Sequence, residues 1–386
     1  MWTKNKLASM VAAGAILGAA PVAAEVFSGR GTAMAGAGVA GGDYTYSALI
    51  NPATATNFKE NDDFATTFDF GLIANNENEF LDTSEDLTDF IEELDGYTAN
   101  QSDAGYILSQ LEILDDSRLT LDAGAQLTIA VPNSLASGVL FVRQSAFIAT
   151  DVQLADSDVA LLENFGEQLF DENDLQTAAG AFGYRMQEIG FAAARQFTFG
   201  GYQVSLGATP KHQRVETIEY IETIAGFDSD DFEADDYTLE HTNFNIDFGA
   251  TINWGELQGG ISLRNALAQE YETVQGGVDI QLDPQLTAGA GYTGEIFTVL
   301  ADLDLNSVEL FDGAGEVQIA RVGAEVDLFD WAQLRLGYRH DLKGTYDGAL
   351  TAGFGFSPFD VVHFHLSAIK SSDDTLGAAL QFGLEL

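Results

Sequence analysis

The sequence predicts an all-β fold, an antiparallel transmembrane β-barrel of about fourteen strands with an N-terminal plug and partly helical external loops. Three observations predict it. Many segments alternate apolar with small or polar residues. No run after residue 24 is long enough for a membrane helix, and every second connection between the alternating segments is very short while those between are longer.

Composition narrows the classes. The 386 residues carry 60 Asp and Glu against 16 Lys and Arg, a formal charge of -44. A nucleic-acid partner needs clustered Lys and Arg to displace counterions, so that reading is excluded. The absence of cysteine removes disulfide frameworks, thiolate metal sites and cysteine nucleophiles. With 46% hydrophobic residues and 27 Phe, the charge does not signal disorder. Forty Gly against six Pro suit β structure with tight turns.

Residues 1–24 read as a secretory signal: Lys4 and Lys6, an apolar stretch from Leu7 to Ala20, then Val22-Ala23-Ala24 before Glu25. Cleavage is expected after Ala24. Residues 25–62 follow as the expected plug or hatch, with Ser28, Gly29, Arg30, Gly36 and Gly38 in a glycine-rich run and then Asn51, Pro52 and Ala53. So many small residues allow the backbone to fold in a confined space. A phosphate-binding reading of Gly36-x-Gly38 fails for want of a third glycine, a preceding strand and a Walker lysine.

Residues 63–386 supply the barrel. In the clearest segment Phe244, Ile246, Phe248, Ala250, Ile252 and Trp254 share one face, and Asn243, Asn245, Asp247, Gly249, Thr251 and Asn253 the other. The fourteen segments are roughly 64–73, 119–131, 135–152, 181–198, 202–215, 238–254, 257–267, 285–293, 296–306, 316–329, 333–342, 348–357, 361–370 and 375–386. Those at 135–152 and 181–198 have mixed parity, so the count lies between twelve and fourteen. A soluble sandwich also alternates, but short turns such as Gly200-Gly201 and Gly255-Glu256, set against long acidic loops near 74–118, 153–180 and 216–237, favour the barrel.

Two helices are expected in those loops. Leu87, Phe90, Ile91 and Leu94 have helical spacing, with Thr83 and Asp86 placed as a capping box; Val159, Leu162, Phe165 and Leu169 suggest the second. The run Asp228, Asp230, Asp231, Glu233, Asp235 and Asp236 lacks the glycine and spacing of an EF-hand and reads as solvated loop rather than a calcium site.

The glycine-rich run ending in Asn51-Pro52-Ala53 resembles the N-terminal hatch of the FadL/TodX long-chain fatty-acid and hydrocarbon transporters of Gram-negative outer membranes. The whole mature chain, about residues 26–386, resembles the family named after the plasmid transfer operon protein TraF. The matching stretches are LGATPK from Leu206 to Lys211, QRVET from Gln213 to Thr217, PQLTAG from Pro284 to Gly289, ADLDL from Ala301 to Leu305 and LRLGYRHD from Leu334 to Asp341. The resemblance implies a fourteen-strand barrel with a plug, placed in the outer membrane. One departure is the C-terminus: such barrels often end in an aromatic residue that marks them for the barrel-assembly machinery, and here the chain ends Phe382-Gly-Leu-Glu-Leu386.

Strand parity puts Lys211, Arg264, Arg321, Arg335 and Arg339 on the face away from lipid, together with Asp69, Asp122, Asp247, Asp302, Glu325 and Asp327. An Arg or Lys facing lipid at the midplane costs ~2–4 kcal/mol, so a barrel requires this sorting. The set is expected to form a lumen charge network, as ion pairs that hold the wall rigid or as the lining of a path. His363 and His365 share a face, but no third ligand stands at fixed spacing, so no metal is expected. No cofactor motif and no G-x-S-x-G elbow occurs, so an enzyme is not expected. Pro210 cannot donate a ladder hydrogen bond and marks a bulge, a kink or a strand end, a candidate lateral opening.

The expected function is an outer-membrane conduit for small hydrophobic compounds, gated by the plug, with membrane lipid, the assembly machinery and the transported compounds as partners. The alternative is a structural outer-membrane protein associated with conjugal plasmid transfer, without transport. A secreted soluble β-sandwich is a third reading.

Overall fold

The computed structural model describes residues 26–59, 62–223, 234–309, 315–329, 331–371 and 374–386. The expected signal sequence and Asp228, Asp230, Asp231 and Glu233 lie outside these residues. The chain forms a closed antiparallel barrel of fourteen strands. They are β1 (Ala65–Asn76), β2 (Leu119–Val131), β3 (Ser137–Gln153), β4 (Ala178–Phe199), β5 (Tyr202–Thr223), β6 (Thr238–Trp254), β7 (Leu257–Arg264), β8 (Gln285–Thr293), β9 (Phe297–Asp304), β10 (Ile319–Phe329), β11 (Ala332–Asp341), β12 (Ala349–Phe356), β13 (Val362–Lys370) and β14 (Thr375–Glu385). Each pairs with its sequence neighbours, and β1 closes on β14 with Ala65 opposite Glu385 and Asn75 opposite Thr375. Closure leaves no unpaired sheet edge.

The burial pattern is inverted relative to a soluble protein. On β6 the apolar Phe244, Phe248, Ile252 and Trp254 are exposed, whereas Asn245, Asp247 and Thr251 are buried. Phe68 and Phe70 on β1 are likewise exposed while Asp69, between them, is fully buried. Aromatic residues gather at the end that carries the short turns: Tyr202 near Trp254 (6.0 Å), Phe329 stacked on Trp331 (5.3 Å) and Trp331 against Phe356 (5.7 Å). Such a girdle belongs at a membrane–water interface. Among the described residues, no helix is long and apolar enough to cross a membrane.

Strand β5 runs eight residues past its expected end at 215, which shortens the loop expected over 216–237. Its outward side chains change from Leu206 to Arg214 and Glu216, which pair with Glu240 and Arg185 at 2.6 Å each. The inner face there carries the buried Val215, Thr217 and Glu219. The upper parts of β4 and β5 therefore rise out of the apolar zone, and the inner cover they receive comes from loops.

Helices α3 (Phe80–Leu94), α4 (Gln101–Asp115) and α5 (Asp156–Glu163) form that cover, sharing one apolar cluster that includes Leu87, Ile91, Ile107, Leu111 and Leu162. Helix α3 starts at Phe80, so Thr83 and Asp86 lie inside it and do not cap it. The capping box belongs to α4, where Asn100 accepts from the Ser102 amide at 2.8 Å and Asp103 accepts from the Asn100 amide at 2.9 Å. Helix α5 ends at Glu163, and Leu169 instead pairs with Thr98 in a short two-stranded piece.

Candidate functional site

Residues 26–58 lie inside the barrel. The segment begins with α1 (Gly29–Ala33), capped by Ser28, whose hydroxyl accepts from the Gly31 amide at 3.0 Å. Left-handed backbone at Ala35 (φ 57°) and Gly36 (φ 82°) then reverses the chain. After Asp43 caps a short turn comes α2 (Ser47–Ile50). Asn51 begins a 3₁₀ turn over Pro52–Thr56: its side-chain oxygen accepts from the Ala53 amide at 3.0 Å, and its amide donates to the Val39 carbonyl at 2.6 Å. Pro52 stands where its missing N–H has no partner to lose.

The wall makes room for this segment with glycine. A Cβ on Gly71 or Gly124 would run into Phe27, on Gly207 or Gly249 into Asn51–Pro52, on Gly260 or Gly289 into Val39–Ala40, and on Gly323 or Gly337 into Met34–Ala35. Each of these four pairs is also a cross-strand pair of the sheet. Polar anchors lie between them. Thr351 donates to the Ala33 carbonyl (2.8 Å), Ser262 to the Ile50 carbonyl (2.7 Å), and the Thr56 and Ser205 hydroxyls meet at 2.7 Å. Asp302 accepts from the amides of Gly38 (2.7 Å) and Val39 (3.0 Å).

The charges expected in the lumen fall into three groups. In the first, Glu325 stands between Arg30 of the inner segment (2.8 and 2.9 Å) and Arg335, which also reaches the His365 Nδ1 at 2.9 Å. Burial opposes the charge on the Arg30 guanidinium, yet Glu325 beside it holds its pKa above the ordinary arginine value. Asp327 is half-buried nearby, opposite Gln333. In the second group Lys211 pairs with Asp247 (2.9 Å) and Glu188 (3.3 Å), and Glu188 also holds Arg143 (3.0 Å). In the third, Arg321 pairs with the buried Asp304 at 2.9 Å, faces Arg339 across the ladder, and stands near Arg264, which donates to Gln285. Asp69 lies on β1, and Asp122 of β2 lines a chamber above the inner segment together with Arg264, Arg321 and Arg339.

Sequence parity missed Arg143 and Glu188, because both lie in the two segments of mixed parity, and it missed Asp304 at the end of β9. No signal in the sequence marks the first pair, which only the register of β3 on β4 brings together, with Arg143 opposite Glu188. His363 contacts Ser357 at 2.9 Å and Glu385 at 3.2 Å. Among the described residues no group of three or more His, Asp or Glu side chains is placed to hold a metal ion.

Above the inner segment lies a chamber of about 510 Å³. Gly36, Val39 and Ile50 contribute to its floor, Ile73, Phe147 and Ala149 to an apolar wall, and Arg264, Arg321 and Arg339 to a polar wall shared with Asp122, Asp302 and Asp341. One connection folds into the barrel beside it. Tyr271, Ile280 and Leu282 of the β7–β8 connection pack on Phe147, Tyr184, Met186 and Val215. Burial raises the pKa of the Tyr271 hydroxyl, which donates to Asn243 at 2.9 Å. The connection's turn is gripped by Glu219, which accepts from the Thr273 hydroxyl (2.6 Å) and the Gln275 amide (3.0 Å).

Pro210 lies within β5, so it does not end the strand. It interrupts the ladder on one side: β4 and β5 pair as far as Gly190–Lys211 and resume at Ala193–Ala208, so Phe191 and Ala192 have no partner on β5, although they pair with Leu140 and Val139 of β3. On the other side Pro210 stays in register opposite Ile246 of β6. The Pro52–Thr56 turn packs behind this interruption, against β4, β5 and β6.

A family model described as "F plasmid transfer operon, TraF, protein" matches residues 48–304, about two-thirds of the chain. The chain belongs to this family. As a member of the TraF family it has the fold of solved outer-membrane transporters. It is similar to the Ralstonia pickettii toluene transporter TbuX (10% identity, TM-score 0.56, covering 94% of this chain and 99% of that one). It is also similar to the toluene transporter TodX of P. putida (10%, 0.53, 92% and 97%) and to a Pseudomonas aeruginosa FadL homologue (11%, 0.51, 95% and 98%). At these identities the likeness is one of fold. No curated protein matches the sequence.

Proposed function

We propose that this TraF-family barrel sits in the outer membrane of a Gram-negative bacterium and passes small hydrophobic compounds, with residues 26–58 as its gate. The observation that carries the reading is the chamber of about 510 Å³, closed below by Gly36, Val39 and Ile50 of a segment that the wall holds by many small contacts. A compound enters between the external loops, rests against Ile73 and Phe147, and proceeds when the segment shifts. The interrupted ladder at Phe191–Ala192, backed by the Pro52–Thr56 turn, supplies a sideways exit toward lipid. The segment meets the wall through four glycine pairs, single hydrogen bonds and the Arg30–Glu325 ion pair, and among these contacts there is no continuous strand ladder, so it can shift as a unit about its connection to β1.

The test uses the absence of native cysteine. With their hydroxyls 2.7 Å apart, Thr56 and Ser205 are placed for an engineered disulfide in the double variant Thr56→Cys, Ser205→Cys. In liposomes, uptake of toluene should stop in the oxidised form and return on reduction. Equal uptake in both forms would remove the gate. A deletion strain that keeps hydrophobic uptake and loses plasmid transfer would favour the structural alternative.

A further inference from the structure

We propose that helices α3–α5 are a salt-operated cap rooted in the rim of the chamber, latched to the strands in concentrated salt and released in dilute salt. The inference concerns the outer end of the barrel and is independent of any movement of residues 26–58. The closing force is apolar: Leu87 and Ile91 of α3, Ile107 and Leu111 of α4 and Leu162 of α5 share one cluster with Leu119, Val152, Ala179 and Tyr220 of β2 to β5. The opposing force is the cap's own charge. Residues 77–117 hold thirteen Asp and Glu and residues 153–177 seven more, a third of the chain's 60, and neither stretch contains Lys, Arg or His. On α3 the pairs Asp82–Asp86, Glu85–Asp89 and Asp89–Glu93 stand four residues apart, a spacing at which like charges are neighbours and weaken a helix. The helix ends add to this.

Helix α3 finishes on Glu92, Glu93 and Leu94, and α4 on Asp115 followed by Asp116, with no basic residue in either last turn. Carboxylates placed there face the negative end of the helix dipole. Arg118, just after the cap in sequence, reaches Asp151 of β3 at 3.9 Å instead. All of these repulsions are screened by salt, over a length that shrinks from about 30 Å at 0.01 M to about 3 Å at 1 M, whereas the apolar cluster has no charge to screen. Ionic strength therefore decides which force wins. A hinge is present at the root. Between β1 and α3 the backbone is left-handed at two successive residues other than glycine, Asn78 (φ 51°) and Glu79 (φ 56°), a conformation that persists only while its surroundings hold it. Glu77 and Asn78 at one root and Arg118 at the other line the chamber, and the Asn78 amide donates to the Ser117 hydroxyl at 3.0 Å, tying the two roots together. Release of the helices thus reaches the chamber's rim.

The experiment uses the mature chain in nanodiscs of a zwitterionic lipid, whose own charge does not respond to salt. Two single-cysteine variants are labelled with a polar maleimide: Ala104→Cys, in the cap's apolar cluster, reports release, and Ala130→Cys, equally buried on β2, reports the barrel. Lowering NaCl from about 1 M to about 10 mM should speed labelling at position 104 about tenfold and leave position 130 unchanged. KCl should act as NaCl does. Adding Asp86→Asn, Asp89→Asn and Glu93→Gln to the reporter should keep the cap closed in dilute salt; labelling as fast as before would overturn the role given to these charges. Equal labelling of position 104 in both salts, or equal acceleration at position 130, overturns the cap. So does closure by micromolar calcium that concentrated NaCl fails to reproduce, since that outcome requires a specific ion site rather than screening.

Discussion

Gly323 of β10 and Gly337 of β11 are direct cross-strand partners, and a Cβ on either would collide with the Met34–Ala35 backbone of the inner segment. The wall at this level is thinned to bare backbone so that a second backbone can lie against it. Gly337→Val should thus displace the segment and leave the barrel closed, at an overpacking cost of about 1–3 kcal/mol. Faster trypsin cleavage after the partly buried Arg30, with unchanged heat-modifiable mobility on gels, would report this. Protection equal to the parent's would contradict the fit.

Glu325 serves two guanidiniums, Arg30 and Arg335, whereas Arg30 has one close partner in Glu325 and a longer contact of 3.7 Å to Asp43. Glu325→Gln should cost more than Arg30→Gln, because it leaves two buried cations facing each other. Breaking such a pair from one side costs about 3–5 kcal/mol. Thermal unfolding in detergent should rank the variants in that order; the reverse order would contradict the central place of Glu325 between the two guanidiniums.

Leu336, at the middle of β11 and 67% exposed, is read as facing lipid, while Leu342 lies just past the strand on the loop side. Leu336→Arg should destabilise the protein in a bilayer by ~2–4 kcal/mol and Leu342→Arg by no more than ~1 kcal/mol. Urea unfolding from liposomes measures both. Equal costs would place the apolar band elsewhere.

Glu219→Gln should loosen the connection that folds into the barrel, since the neutral amide loses charge-assisted bonds from Thr273 and Gln275. The expected loss is about 1–3 kcal/mol, local to residues 269–282. Hydrogen exchange should quicken there and stay unchanged in β1 and β14.

The strands were legible because the barrel's two faces meet different solvents. Phe244 to Trp254 alternates so regularly that the sequence places Asn245 and Asp247 inside without a structure. Helix α4 was harder to read: Ala104, Ile107, Leu111 and Leu114 lie on its buried face, but Gly105 interrupts it and its cap is an Asn followed by an Asp rather than the commoner pattern. The extension of β5 past 215 was hidden for a different reason, since inward residues there are covered by loops and the outward ones by water, and the parity signal weakens.

Pattern alone determined the all-β class and the inward sorting of Lys211, Arg321, Arg335 and Glu325, and it narrowed the strand count to between twelve and fourteen, because a two-residue period and the cost of charge in lipid act on each strand separately. Which charges pair, where Gly323 meets Gly337, and which oxygen receives the Gly38 amide were decided only by tertiary structure. Those contacts join residues up to several hundred positions apart, and their geometry depends on barrel closure and on the path of the inner segment, neither of which any single strand encodes.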